Sequence, residues 1–154
     1  MNGMTRESGT RPEPALCKIV ADRDGIIAAW VCRGLGVGVQ EIGENFTLGF
    51  LYGGRIVGGL IYHGLQDGSL WWTIYTVDRH WCSRKVLKTV FGLAFDGMNC
   101  HRINIIVSKD NVKSLKLVKG LGFKTEGLLR RYRSSGADCY LLGMLKNECK
   151  WREK

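Results

Sequence analysis

Apolar positions along the chain switch between a two-residue period and a three-to-four-residue period, and each switch marks an element. Residues 15–22 (ALCKIVAD) predict a short strand. Asp22 or Asp24 can cap a helix reaching about Cys32, with Ile26, Ile27, Trp30 and Val31 on its apolar side and Gly34, Gly36 and Gly38 ending it. Phe46 to Tyr52 returns to strand. Gly53-Gly54 suits a tight hairpin turn, and Ile56 to Tyr62 is its partner. A second turn across Leu65–Ser69 leads to Leu70–Val77 (LWWTIYTV), whose β-branched and aromatic residues predict a buried strand.

The period then lengthens. From Ser83 to about Asn99 the apolar residues Val86, Leu87, Val90, Phe91, Ala94 and Phe95 form one helical stripe. Arg102 to Val107 (RINIIV) is strand again. Asp110 or Asn111 caps a helix with Leu115, Val118 and Leu121 on one face, ended by Gly120 and Gly122. Lys124–Arg133 and Asp138–Leu145 predict two last strands joined at Ser134-Ser135-Gly136. The order is β-α-β-β-β-α-β-α-β-β. This predicts a mixed α/β fold with a mostly antiparallel sheet and a central parallel βαβ crossover. Residues 1–14, polar and holding both prolines, predict a flexible leader, and residues 15–154 a single domain.

Composition narrows the class. A chain of 154 residues, 45% hydrophobic and 24% charged, can build a core of its own. The best apolar stretch, Leu48–Tyr62, is cut by Arg55 and five glycines, so no membrane span is predicted. The first residues carry Arg6, Glu7 and Arg11 and do not read as a secretory signal. The six cysteines are scattered with no Cys-x-x-Cys pair, which predicts reduced thiols, a cytoplasmic protein and no metal site.

Net charge is +9, unevenly placed: residues 109–154 hold twelve Lys/Arg against five Asp/Glu. Such a basic third suits a polyanionic partner, whether nucleic acid, a phosphorylated cofactor or an acidic protein.

The most informative block is Ser108–Gly127 (SKDNVKSLKLVKGLGFKTEG). Asn111 at a helix start can offer its amide to a ligand while the first-turn N–H groups face outward, and Ser114 lies one turn on along the same face. Plain helix capping with a solvent-facing serine is the alternative. The spacing Asn111-x-x-Ser114, with Leu121-Gly122-Phe123 after it, resembles the last conserved section of the Gcn5-related N-acetyltransferases (GNAT). Glu126-Gly127 and Leu129-Arg130, followed by a hairpin through Asp138, resemble the ribosomal-protein and N-terminal-amine branch. The whole is similar to small acetyltransferases of bacterial viruses. The resemblance covers roughly residues 15–151 and implies an acetyl-CoA-dependent transfer of an acetyl group to an amine.

The resemblance also implies a set of site residues. A diphosphate loop should follow the strand Leu70–Val77, where a helix N-terminus offers free N–H groups to phosphate. The family writes Gln/Arg-x-x-Gly-x-Gly/Ala there; this chain has Arg79, Cys82, Ser83 and Arg84, then Lys85. Side chains at the glycine positions crowd the loop, while Arg84 and Lys85 can compensate as phosphate partners. An ordinary basic helix start is the alternative. The backbone of Ile74, Tyr75 and Val77 would hold the pantetheine arm and supply an oxyanion donor. Many relatives carry a tyrosine acid seven residues after the asparagine, where this chain has Val118. Ser114 is then the nearest hydroxyl for the leaving thiolate. Glu126 is expected as the general base, with Tyr75 and Tyr132 in reserve; the alternative is a surface glutamate paired with Lys124 or Arg130.

Other features are read more plainly. Trp71 and Trp72 point to opposite faces of their strand. Cys82 at a helix start could be a low-pKa thiol, and His80 and His101 read as ordinary polar residues. Arg130, Arg131 and Arg133 with Tyr132 have the composition of an RNA-binding edge or of a platform for acidic substrates. The acceptor is expected to be an amine on a protein or peptide, with RNA or ribosome as a further possible partner and a monomer or homodimer as the assembly. The rival function is a catalytically impaired module of the same fold that binds protein or RNA through the basic third.

Overall fold

Residues 16–152 are described by a computed structural model; the leader expected over residues 1–14 lies outside them. Left-handed backbone sets the turns of the first half. Gly53 and Gly54 (φ 60° and 78°) join β2 (Asn45–Tyr52) to β3 (Arg55–Gln66), and Asp67 and Gly68 (φ 54° and 76°) join β3 to β4 (Ser69–Thr76). β3 runs four residues past the predicted Tyr62, with an irregularity between His63 and Gln66. The short β1 (Lys18–Ala21) pairs antiparallel with β2.

The helix α1 (Ile26–Leu35) starts at Gly25 rather than at an aspartate, because Asp22 caps it from outside: its Oδ2 accepts the Ala28 N–H at 3.0 Å. α1 buries Ile27, Ala28, Val31 and Cys32 on the sheet. Two glycines let it come close. A Cβ at Gly59 would run into Val31 and Ile27, and one at Gly49 into Ile27.

After β4 a 3₁₀ turn (Arg79–Trp81) leads into α2 (Arg84–Gly92), which widens to a π turn over Leu93–Gly97. β5 (Arg102–Ser108) then pairs parallel with β4. The chain closes with α3 (Val112–Leu121), β6 (Lys124–Leu129) and β7 (Cys139–Leu145). Sheet order is β1-β2-β3-β4-β5-β7-β6, antiparallel throughout except β4–β5. The predicted mixed sheet and its parallel crossover are therefore present, in the predicted order of elements.

The largest core lies between the sheet and α2–α3. Phe50 stacks on Trp81 at 5.4 Å, Trp72 meets Phe91 at 4.7 Å, and the Tyr62 hydroxyl donates to the Val90 carbonyl at 2.8 Å. α1 covers the opposite face.

One predicted strand is shorter than expected. β6 stops at Leu129, not Arg133. Arg131 adopts φ 53° and gives its N–H to Asp138 Oδ1 at 2.7 Å, while the Arg133 N–H goes to the Ala137 carbonyl. Arg130–Arg133 therefore belong to a hydrogen-bonded loop, and strand alternation does not decide which way they face.

Candidate active site

The parallel pair splits halfway. β4 and β5 are in register from Ser69↔Arg102 to Trp72↔Ile105 and no further. Past that point β5 follows β7, while β4 follows β3. The paired half is clamped by the buried Asn104, whose Nδ2 donates to the Leu70 carbonyl at 3.0 Å and to Ser69 Oγ at 2.8 Å. Among the described residues, Thr73–Thr76 have no strand on their β5 side. Backbone donors and acceptors left along such an edge seek a partner.

A cavity of about 860 Å³ occupies this split, and it reaches both faces of the sheet. By strand alternation, Trp72, Ile74, Ile105 and Val107 face the α2–α3 core, while Trp71, Thr73, Ile106 and Ser108 face the other side; all eight line the cavity. Asn111, Ser114 and Val118 of α3 add one wall. Glu41 and Ile42, between α1 and β2, and the β6–β7 loop from Arg131 to Ser135 add the others.

Asn111 is the N-cap of α3, its Oδ1 accepting the Ser114 N–H at 3.1 Å. Capping therefore uses only the oxygen. Among the described residues the Asn111 side-chain amide donates to nothing, and the Ser114 hydroxyl is likewise uncommitted. Val118, where a tyrosine acid was sought, is fully buried and gives the cavity an apolar surface.

The remaining expected site residues spread out. Ile74 lines the cavity, but Tyr75 turns to α1, 5.2 Å from Trp30 and against Gly34. Val77 gives its N–H to the Val57 carbonyl at 2.9 Å, which removes that N–H as an oxyanion donor. Arg79, Cys82, Ser83, Arg84 and Lys85 stand beyond the end of β4, outside the cavity lining. Ser83 caps α2 through Val86 N–H at 3.2 Å, leaving the exposed Arg84 and Lys85 on its first turn. Partial burial pushes the Cys82 thiol up rather than down, so a helix-activated thiolate is not supported.

Glu126 is not brought to the cavity. It sits at the irregularity of β6 and accepts from Arg102 Nη2 at 2.6 Å, so its partner is neither Lys124 nor Arg130. Arg102 Nε in turn donates to Asn104 Oδ1 at 2.7 Å, tying Glu126 to the clamp on the closed half of the split. Glu126 belongs to β6, separated from β4 by the two strands β5 and β7, and its carboxylate lies over Gly143 of β7.

Sequence reasoning passed over His63 and Thr73. His63 lines the cavity with Nε2 2.8 Å from Thr73 Oγ1, and burial lowers its pKa from the usual 6.5, keeping the imidazole neutral near pH 7. The signal was faint: His63 lies past the predicted end of β3, yet register alternation with Ile61 would have put it on the α1 face. Tyr132, held in reserve, does line the cavity.

The split edge and the uncommitted Asn111 amide offer hydrogen-bonding groups to an extended ligand, while the start of α2 stands outside the cavity lining. No cluster of three or more potential metal ligands occurs among the described residues, nor any helix long and apolar enough to cross a membrane.

A mostly antiparallel sheet with one splayed parallel pair is the fold of the Gcn5-related N-acetyltransferases. Solved structures share it. The chain superposes on spermidine/spermine N-acetyltransferase SpeG of Vibrio cholerae with a TM-score of 0.65 at 15% identity, over 84% of this chain and 92% of that one. An IAA acetyltransferase of Bacillus cereus gives 0.68 at 16% identity, over 84% and 99%. RimJ of Mycobacterium smegmatis, in complex with CoA-disulfide, gives 0.58 at 24% identity, over 79% and 62%. In sequence, 75 residues are 32% identical to an uncharacterized N-acetyltransferase, p20, of Bacillus licheniformis. That match takes in 45% of this chain and only 42% of the relative's length. No family model matches the chain.

Proposed function

We propose that this protein is an N-acetyltransferase that uses acetyl-CoA to acetylate an amine on a protein or peptide. One observation carries the reading: a cavity passes through the sheet where β4 and β5 separate, lined on one side by Asn111 and Ser114 and on the other by His63. The names of p20 and of the structural neighbours support the same chemistry.

When bound, acetyl-CoA supplies an activated acyl group. The chain's residues do the rest. The free edge of Thr73–Thr76 offers backbone groups to an amide-bearing arm, and the Asn111 amide adds a donor from the facing helix. His63 must lose no proton before it can accept one, since burial already keeps it neutral; it can take the proton of an incoming ammonium directly or through the Thr73 hydroxyl. Ser114 is the hydroxyl nearest the missing tyrosine position, one turn before Val118, and can stabilise a leaving thiolate. Arg79, in the 3₁₀ turn, and Arg84 and Lys85, at the start of α2, meet the phosphates. The ribosomal-protein branch and the likeness to viral acetyltransferases remain part of this proposal; a cytoplasmic monomer or homodimer completes it.

Calorimetry with acetyl-CoA tests the reading. Micromolar binding, lost in Asn111→Ala and Arg84→Glu, followed by acetylation of a peptide amine, is the expected result. No binding to folded protein at millimolar acetyl-CoA would leave a module of this fold that binds protein or RNA without transferring acetyl groups.

A further inference from the structure

Two arginines at the cavity wall, Arg131 and Arg133, form no ion pair among the described residues, although six ion pairs hold other side chains. Asp138 accepts the backbone N–H of Arg131 through Oδ1 and forms no ion pair with either guanidinium. That bond, together with the Arg133 N–H to Ala137 and the Gly136 N–H to Arg133, fixes the loop that carries both arginines. The Arg133 Nε donates to Ser108 Oγ at 3.5 Å, and its guanidinium lies 5.7 Å from the centre of the Tyr132 ring. Glu41 is the single carboxylate among the cavity-lining residues.

A shallower hollow lies against the same loop, where Arg130 and Arg131 meet Leu128, Leu129 and Tyr132 beside one acid, Asp138. Cationic side chains thus continue from the cavity out onto the surface. This arrangement repels a polyamine and suits an acceptor whose amine is followed by carboxylates, because paired guanidinium groups bind carboxylate through charge-assisted forks. A nucleic acid strand fits less well: the cations are gathered at one loop, and the cavity's far wall carries Glu41.

Resting on the acetyltransferase reading, we infer that Arg131 and Arg133 select acidic acceptors: peptides whose reactive amine is followed within a few residues by Asp or Glu. The site sets specificity and leaves the chemistry to the residues of the split.

The test is fluorescence anisotropy with two C-terminally labelled peptides that share a free N-terminus, one continuing with three glutamates and one with three lysines. Acetyl-CoA titration of each protein runs beside it. The glutamate peptide should bind the wild type about tenfold tighter or more, the gain of a few charge-assisted hydrogen bonds. Arg131→Gln with Arg133→Gln should bring that ratio close to one, and Arg131→Lys with Arg133→Lys should restore part of it. Equal binding of both peptides while acetyl-CoA still binds overturns the inference and leaves the enzyme reading standing. A preference for the glutamate peptide without acetyl-CoA binding supports the arginine site while removing the enzyme. Displacement of the glutamate peptide by an oligouridine at lower concentration than by the unlabelled peptide overturns it in favour of RNA.

Discussion

Arg102 Nη2 donates to Glu126 Oε1 at 2.6 Å, and the pair passes so close above Gly143 that a Cβ there would collide with both side chains. The same arginine holds Asn104, which holds the start of β4. Glu126 therefore helps keep one half of the β4–β5 pair shut. Glu126→Gln should lower kcat by less than about threefold, against the 10²–10⁴-fold of a lost general base, and lower stability by about 1 kcal/mol or less, since the pair is partly exposed. Gly143→Ala should cost more, about 1–3 kcal/mol, because the arginine and glutamate must both move. Urea unfolding and steady-state kinetics on the two variants check this; a hundredfold fall in kcat for Glu126→Gln would restore the base to Glu126.

On the proposed role of His63 as base, that residue should set the pH dependence. Its folded pKa lies below 6.5 because burial disfavours the charged ring. Activity should be full at neutral pH and fall on the acid side with a midpoint below 6.5, and His63→Gln should reduce kcat about a hundredfold and flatten that limb. Stability follows the same sign. As pH drops below 6.5 the unfolded chain takes up the proton before the folded one, so stability contributed by the neutral ring is lost through that window. A thermal midpoint that falls between pH 7.5 and pH 5 in the wild type, and falls less in His63→Gln, is the expected result.

The contrast between Glu126 and His63 shows what the sequence could carry. Element order was legible because periods of two and of 3.6 residues alternate cleanly, and because Gly-Gly and Asp-Gly mark the hairpin turns. Asn111 and Ser114 were legible because one helical turn fixes their spacing. Glu126 was misplaced because its direction depends on an irregularity in β6 and on an arginine 24 residues earlier, which no local pattern encodes. His63 was missed because β3 outruns its apolar core. Arg131 escaped strand logic through a backbone angle that only the Asp138 contact explains.

Asn111 has two separable roles. Its oxygen caps α3 while its amide has no partner among the described residues, and the residue lines the cavity. Asn111→Ala should lose about 1 kcal/mol of stability with the cap and weaken acetyl-CoA severalfold, the worth of one hydrogen bond. Asn111→Asp keeps a capping acceptor, so stability should stay within about 0.5 kcal/mol. It lacks the donor and adds a negative charge, so acetyl-CoA affinity should fall at least as far. Unchanged affinity in Asn111→Asp would reduce this residue to a cap.

The start of α2 departs most from what a diphosphate loop requires, with Cys82 and Arg84 in place of small residues. Ser83 closes the first turn by accepting the Val86 N–H, which leaves the amides of Arg84 and Lys85 without helical acceptors. Arg84→Glu should therefore weaken acetyl-CoA about tenfold or more at 50 mM salt and less at 500 mM, because screening shortens the reach of an exposed charge. Acetyl-pantetheine, which carries the same acyl arm without any phosphate, should bind wild type and Arg84→Glu alike. Asp78 adds a second control. It accepts the His80 N–H at 2.8 Å, and this hydrogen bond holds its carboxyl below the usual value. Asp78→Ala, which removes the acceptor that Asn would keep, should loosen the 3₁₀ turn and weaken acetyl-CoA without affecting acetyl-pantetheine. Equal losses for both ligands in Arg84→Glu would show that the phosphates lie elsewhere and that α2 begins with an ordinary basic turn.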